Sequence, residues 1–511
     1  MHVPADYPTI QAALDSTNRW DTVSVAPGTY HELLQSPLHS FVLMGWHRAD
    51  TTAEARTTFD PNVFGVDTPS VFRVFGDTAV VKNIAFYNRP AIRQYEIPTR
   101  SGAIQSAARL LIVEQCRFDS VSSPLWRGSR IEIQNCRFVG CFGSCVLTSL
   151  SGRLKAENCY FESEGYSVVT CYGGSEIDSC VFANNPQGGY LLNIRGPGAI
   201  VSNCRFGPYV GAFSVVDIYP NGDVLIENCV FEGIDQAYSL IQAGFDHPIS
   251  MDYPLVIRGN TFRDYHTFGP SSGTIAINLQ CSQCSFGRLA IIEGNTFIDG
   301  DGATVLTPGV QALSATVLLR DNEFENLDPA TLPDFRAEGP SQDTIRSHNN
   351  SFLPPGLAAS TVGSYFDARE NWWGDSTGPY NASVNPEGQG SEVGNGVLFV
   401  PWLTQHPDSI DSTEVAIETP SVQLPSAYSL AAFPNPFNAT TILSVEVARA
   451  GNYDIVLYDV TGREVTTLYS GRIESSQNVH VNAERIASGV YFAELRSMDN
   501  VFTATKLLLL K

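Results

Sequence analysis

Apolar positions in this chain fall in short runs, alternate with polar ones, and recur. Val224-Leu225-Ile226-Glu227-Asn228-Cys229 and Leu255-Val256-Ile257-Arg258-Gly259-Asn260 are brief β-branched stretches, and Ile131-Glu132-Ile133-Gln134-Asn135-Cys136 alternates strictly. A period of two with β-branched residues predicts strands, and few windows hold a helical stripe. Each run leads into one phrase. It is Cys-x-Phe at Cys116, Cys136, Cys159, Cys180, Cys204 and Cys229, then Asn-x-Phe at Asn260, Asn295, Asn322 and Asn350, and it closes with Asn371-Trp372-Trp373. Successive Phe residues lie 20 to 35 positions apart. A self-similar unit of that size cannot bury its apolar face alone and must stack on its neighbours. A propeller fits less well, because its blades need about 40 residues or more.

The pattern also assigns faces. Positions three and five before the Cys or Asn are mostly apolar (Ile133, Ile131, Ala156, Leu154, Ile226, Val224, Leu319, Val317) and should point inward, as should the Phe two positions after it. A ladder of Asn in consecutive coils can satisfy its own amides inside a stacked β-array. The position two before the ladder should face solvent. It passes from mainly acidic (Glu114, Glu157, Asp178, Glu227) to mainly basic (Arg258, Arg320, Arg369).

On these residues the chain resembles the right-handed parallel β-helix proteins of the pectate-lyase-like class over residues 1–405. The expected fold is all-β: a right-handed parallel β-helix solenoid of about 12–14 coils, about 60 Å long at about 4.8 Å per coil. The opening Val3-Pro4-Ala5-Asp6-Tyr7-Pro8-Thr9-Ile10 is similar to the N-terminal cap of such proteins. Thr9 should cap a short helix whose face is Ile10, Ala13 and Leu14. Asp21 to Tyr30 then reads as the first strand and turn, and Glu370-Asn371-Trp372-Trp373-Gly374 as the phrase that ends the solenoid. The resemblance does not choose an activity, because this scaffold carries lyases, hydrolases, esterases, epimerases and non-enzymes.

The end of the chain has another pattern. Residues 406–427 form a Ser, Thr, Pro and acid-rich linker. Residues 428–511 hold some seven longer alternating strands, which predict a small Ig-like β-sandwich. This tail resembles the C-terminal sorting domain of the type IX secretion system. Pro434, Asn435 and Pro436 open it, Gly489 and Tyr491 sit at its Gly-x-Tyr, and Lys506 and Lys511 match its closing lysines. The resemblance implies passage across a Gram-negative outer membrane, cleavage of the tail, and release or attachment at the surface. Met1-His2-Val3-Pro4 enters the cap without a basic or apolar leader, so the signal peptide is expected to be missing from this chain.

The net charge is -22. The tail from Tyr428 holds 7 basic and 8 acidic residues, so the acid excess lies in the rod and linker. That excess argues against nucleic acid as a partner, and against an anionic polysaccharide unless a cation or a local basic stripe intervenes. No apolar run approaches the length of a membrane span. The ladder cysteines could reach one another across coils, but buried reduced thiols are the better reading, because the same slot later holds Asn. Cys281-x-x-Cys284 lacks a second pair. Gln342-Asp343-Thr344 matches a pectin methylesterase fragment without its companion phrases, and neither Gly-His-Gly nor a polygalacturonase Asp-Asp pair occurs.

Three places could carry chemistry. Glu157 and Asp178 should be about 5 Å apart on neighbouring coils, where paired carboxylates can bind Ca²⁺ or share a proton. The longest coils, between Phe231 and Phe297, carry Asp246, His247, Asp252, Tyr253, Asp264, Tyr265 and His266. Of these, Asp246, His247, Asp264 and His266 suit acid–base work. An insertion at 88–101 has Arg89, Arg93, Tyr95, Glu96 and Arg100. Two expectations follow: an exported protein that interacts with polysaccharide or surface glycan, and, as alternatives, a lyase or glycoside hydrolase, or a purely adhesive surface protein.

Overall fold

The computed structural model describes the chain apart from residues 47–55, 61–69, 88–101, 184–188, 245–253, 267–274, 281–287, 301–304, 308–314, 326–334, 339–343 and 410–428, and stretches of one to three residues elsewhere. It forms two compact units, Met1–Ile410 and Asp411–Lys511.

The first unit is a parallel β-helix with three strands per coil. The first sheet runs through the segments that precede each ladder residue, such as Leu110–Glu114, Glu176–Asp178 and Val224–Glu227. The second carries the Phe residues, as in Arg117–Asp119 and Val181–Ala183. The third follows, with Ser167–Cys171, Tyr190–Ile194 and Val216–Ile218. Every pairing between consecutive coils is parallel, for example Phe118↔Phe138 and Ile226↔Ile257.

The turn from first to second sheet explains the phrase. The residue before the ladder position adopts a left-handed backbone in coil after coil: Gln115 at φ 53, Asn135 at 54, Asn158 at 51, Asn203 at 53, Asn228 at 54 and Gly259 at 61. Asn and Gly tolerate that region best. The turn drops the ladder side chain into the core. Cys116, Cys136, Cys159, Cys180, Cys204 and Cys229 are all 1–2 % exposed. Asn260, Asn295, Asn322, Asn350 and Asn371 take over the slot, each no more than 2 % exposed. Each Asn up to Asn350 donates Nδ2 to Oδ1 of the next, at 2.8–3.0 Å. No amide in the run is wasted.

Phe86, Phe118, Phe138, Phe161, Phe182, Phe206, Phe231, Phe262, Phe297, Phe324 and Phe352 form one stack with ring centroids 4.6–5.0 Å apart. Trp373 ends it, 4.7 Å from Phe352. The spacing matches that of the strands, so register and ring stacking reinforce each other. At the other end Thr9 Oγ1 accepts from Ala12 N–H at 3.1 Å and caps the helix Ile10–Asp15. Ile10, Ala13 and Leu14 are fully buried. Glu32 accepts from the N–H groups of Ile10 and Gln11, placing a carboxylate where helix donors are otherwise unmet. One expectation changes: the first strand is His2–Val3, which stacks on Thr22–Val25. Two residues are too short for a periodic signal.

The second unit has antiparallel strands in two sheets. Ser429–Phe433, Thr440–Glu446 and Ser476–Asn482 form one, and Gly451–Asp459, Glu464–Ile473, Gly489–Ser497 and Asn500–Leu509 the other. Leu443, Val445, Ile455, Ala493 and Leu495 are fully buried in its own core.

Candidate functional site

The solvent-facing row of the first sheet has the register the sequence gives it: Glu114, Gln134, Glu157, Asp178, Ser202, Glu227, Arg258, Glu293, Arg320 and His348 are paired in turn. Its charges are largely consumed within the row. Lys82 pairs with Glu114 at 2.7 Å, Arg258 Nε donates to Glu227 at 2.8 Å, and Arg320 Nε to Glu293 at 2.6 Å. Asp178 accepts from Ser202 Oγ at 2.6 Å, Asn203 Nδ2 at 2.7 Å and Ser179 Oγ at 2.8 Å. The Ser202 hydroxyl above all holds its carboxyl below the usual range. Glu157 stands beside it in register. Among the described residues no group of three or more His, Cys, Asp or Glu is placed to hold a metal ion.

Asp264 and His266 lie on the strand Thr261–His266 of the second sheet, with Nε2 of His266 2.9 Å from Oδ1 of Asp264 and both side chains well exposed. Tyr265 between them is buried. Asp246, His247, Asp252 and Tyr253, the insertion at 88–101, Cys281, Cys284, Gln342 and Asp343 lie outside the described residues. The nine cysteines described are all free and buried.

Sequence reasoning passed over the third sheet. One outward row there runs Thr170, Asn193, Asp217, Gln242 and Asn278 in unbroken register. The inward neighbours Leu192, Ile194, Val216, Ile218, Ile241 and Ile277 are core. Outward residues on a sheet are usually wet, yet Asn193, Asp217 and Asn278 are 2 %, 1 % and 0 % exposed. Among the described residues, Asp217 Oδ2 and both side-chain polar atoms of Asn278 have no hydrogen-bond partner. Burial raises the Asp217 carboxyl to about 7 against the opposing pull of Arg195. Arg195 Nε donates to Asn193 Oδ1 at 3.1 Å, and its guanidinium lies 4.9 Å from the Tyr219 ring centroid. Buried polar atoms without partners are rare and costly. Asp217 and Asn278 place such atoms in one row that also holds Asn193, the partner of Arg195. A signal existed: in three coils a polar residue between apolar ones follows the ladder Phe by 11 positions, at Asn193, Asp217 and Gln242.

In the tail, Asn435 Oδ1 accepts from Leu508 N–H at 2.9 Å. This ties the opening phrase to the final strand. Gly489 pairs with Leu509, Tyr491 with Leu507 and Phe492 with Lys506, and Tyr491 Oη donates to Ala487 O at 2.9 Å. Pro434, Pro436 and Lys511 lie outside the described residues.

Comparison with known proteins agrees with both units. Residues 124–288 match the family described as right handed beta helix region, and residues 431–510 match the secretion system C-terminal sorting domain. No curated protein sequence matches the chain. Among solved structures, the tailspike protein of E. coli bacteriophage HK620 in complex with pentasaccharide is 12% identical, with 92% of this chain and 88% of that chain covered and a TM-score of 0.42. A double mutant of the same tailspike gives 12% identity, the same coverage and a TM-score of 0.46. At that level nothing of the tailspike's chemistry transfers. The sorting domain marks the chain as cargo for type IX secretion, bound for the cell surface or extracellular space. Among the described residues no helix is long and apolar enough to cross a membrane. The chain is thus a right-handed parallel β-helix that carries a secretion-system C-terminal sorting domain.

Proposed function

We propose that this exported protein binds polysaccharide on the outer face of its third sheet, around Asn193, Asp217, Gln242 and Asn278. The observation that carries the reading is the set of buried, unpartnered atoms there, Asp217 Oδ2 and the Asn278 side-chain amide. A sugar hydroxyl both donates and accepts, so a row of carboxyl and amide groups matches a run of hydroxyls. The Tyr219 ring adds an apolar wall. A solenoid repeats this face every coil, which suits a repeating polymer. The destination that fits best is the outer surface of a Gram-negative bacterium, with the tail removed there. Full-length protein screened on an immobilised glycan panel should bind at least one polysaccharide. Asp217→Ala and Asn278→Ala should each weaken that binding tenfold or more. Unchanged binding in both variants would remove the site.

A catalytic reading draws on one further observation: a carboxyl titrating near 7 suits a general acid at neutral pH. Asp264 and His266 are a second acid–base candidate, on a different sheet. New reducing ends, or unsaturated products, from a bound polysaccharide would establish turnover, and the Asp217 and His266 variants would assign it.

A further inference from the structure

Four coils before Asp217, the same face of the third sheet changes its chemistry. Arg73, Gln105 and Trp126 stand in register in the outward row, which continues through Leu147, Thr170 and Asn193 to Asp217. With Ser70, Phe75 and Arg127 they line a groove of about 520 Å³.

Three features set this groove apart. The Trp126 ring is half-buried, and its Nε1 is buried without an acceptor. The strand also bulges beside it: Trp126 pairs with Leu147 and Gly128 with Thr148, leaving Arg127 between them at φ 64. A non-glycine residue in that region is strained, and a bulge re-aims the side chain it displaces. Here it sets the guanidinium 5.4 Å from the Trp126 ring centroid. Gly128 makes the bulge possible, because a Cβ there would lie 2.3 Å from Ile131 Cγ1. The third feature is charge. Arg117, Arg130, Arg205, Arg258, Arg263 and Arg320 hold carboxylates. Among the described residues Arg73 and Arg127, like Arg137, Arg153 and Arg195, hold none, and these two line the same groove. Two guanidinia without counter-ions face one groove in a chain of net charge -22.

We propose that this groove is a subsite for a carboxylate-bearing sugar of an acidic polysaccharide. The sugar ring packs on Trp126, and the carboxylate sits between Arg73 and Arg127. Guanidinium donors match the planar carboxylate, and an aromatic face covers the C–H side of a ring. Ser70 Oγ donates to Gln105 Oε1 at 3.5 Å, which leaves the Gln105 amide protons to donate. At about 4.8 Å per coil, Trp126 and Asp217 are about 19 Å apart along the sheet, so one extended chain reaches both. The acid excess elsewhere does not forbid this, because charges beyond about 10 Å are screened at 0.1 M salt. The inference rests on the third sheet being the glycan face and names the class of sugar it takes.

The test titrates full-length protein with a hexuronate oligomer and with the carboxyl-reduced neutral oligomer of equal length. The wild type should bind the uronate at least tenfold tighter, with the preference shrinking as salt rises. The double variant Arg73→Gln/Arg127→Gln, altered only at exposed side chains, should lose the preference and keep its affinity for the neutral oligomer. Trp126→Ala should weaken both. A double variant that still prefers the uronate overturns the subsite. Equal wild-type binding of both oligomers, abolished by Asp217→Ala, overturns it too and leaves the glycan face standing. Binding of neither oligomer while another glycan binds through Asp217 overturns the subsite alone, and no glycan binding at all overturns both readings.

Discussion

The backbone N–H of Cys229 donates to Oδ1 of Asn260 at 2.8 Å, joining the thiol half of the inner ladder to its amide half. Both halves reach the same target, the carbonyl three residues before the ladder position of the previous coil. Cys136 Sγ donates to Val113 O at 3.3 Å, and Asn295 Nδ2 to Ile257 O at 2.9 Å. Along the ladder the thiols meet one another only through weak S–H donors, whereas the amides bond with N–H donors to carbonyl oxygens. Asn295 Oδ1 accepts from both N and Nδ2 of Asn260, and its Nδ2 donates to Asn322 Oδ1.

The two kinds of rung should therefore differ in stability. Asn295→Ala leaves several buried groups unpaired and should cost about 2–4 kcal/mol, whereas Cys136→Ala should cost about 1 kcal/mol. Urea unfolding of the two variants compares them directly. Equal losses would show that the amides contribute no more than the thiols do.

The thiols should be chemically silent in the folded rod. Burial pushes the ladder thiol Cys116 up to about 12 and raises that of Cys136 as well, and reactivity follows the thiolate. Ellman titration at pH 8 should find the ladder cysteines unreactive until denaturant is added. Rapid native labelling of the ladder would contradict the burial.

Much of this was legible because the repeat writes one geometry many times. The Cys/Asn slot, the inward Phe, the cap at Thr9 and the first-sheet register all follow from residues that recur at fixed offsets. The third-sheet row was not legible in the same way. Thr170, Asn193, Asp217, Gln242 and Asn278 differ in kind, and Asn278 follows its Phe by 16 positions rather than 11, so no single phrase repeats. Polar residues on an outward strand face ordinarily meet solvent, and only the packed structure shows Thr170, Asn193, Asp217 and Asn278 buried. The groove at Arg73, Gln105 and Trp126 joins three coils through sheet pairing alone.

Asp217 should make stability depend on pH. Its folded value of about 7 exceeds the ordinary 3.8, so between these values the folded chain holds a proton that the unfolded chain has released. Stability then falls as pH rises from about 4 to about 7 and stays lower above that. Asp217→Asn removes the effect and should gain about 2–4 kcal/mol on wild type in going from pH 4 to pH 8. Parallel unfolding curves at the two pH values would show Asp217 ionised throughout.

Export should depend on the tail. Expressed with a signal peptide in a type IX host, the full chain should reach the surface and lose its tail. Deleting residues 428–511 should strand the rod in the periplasm, as cell fractionation would show. Efficient surface delivery of the truncated rod would reduce the tail to an accessory domain.

The most direct test of the glycan face is a crystal structure of the protein with the tightest-binding oligosaccharide from the panel. The sugar should lie along the third sheet, with hydroxyls within hydrogen-bond distance of Asp217 Oδ2 and the Asn278 amide. A sugar bound instead on the first-sheet row at Glu157 and Asp178, or beside Asp264 and His266, would contradict the assignment.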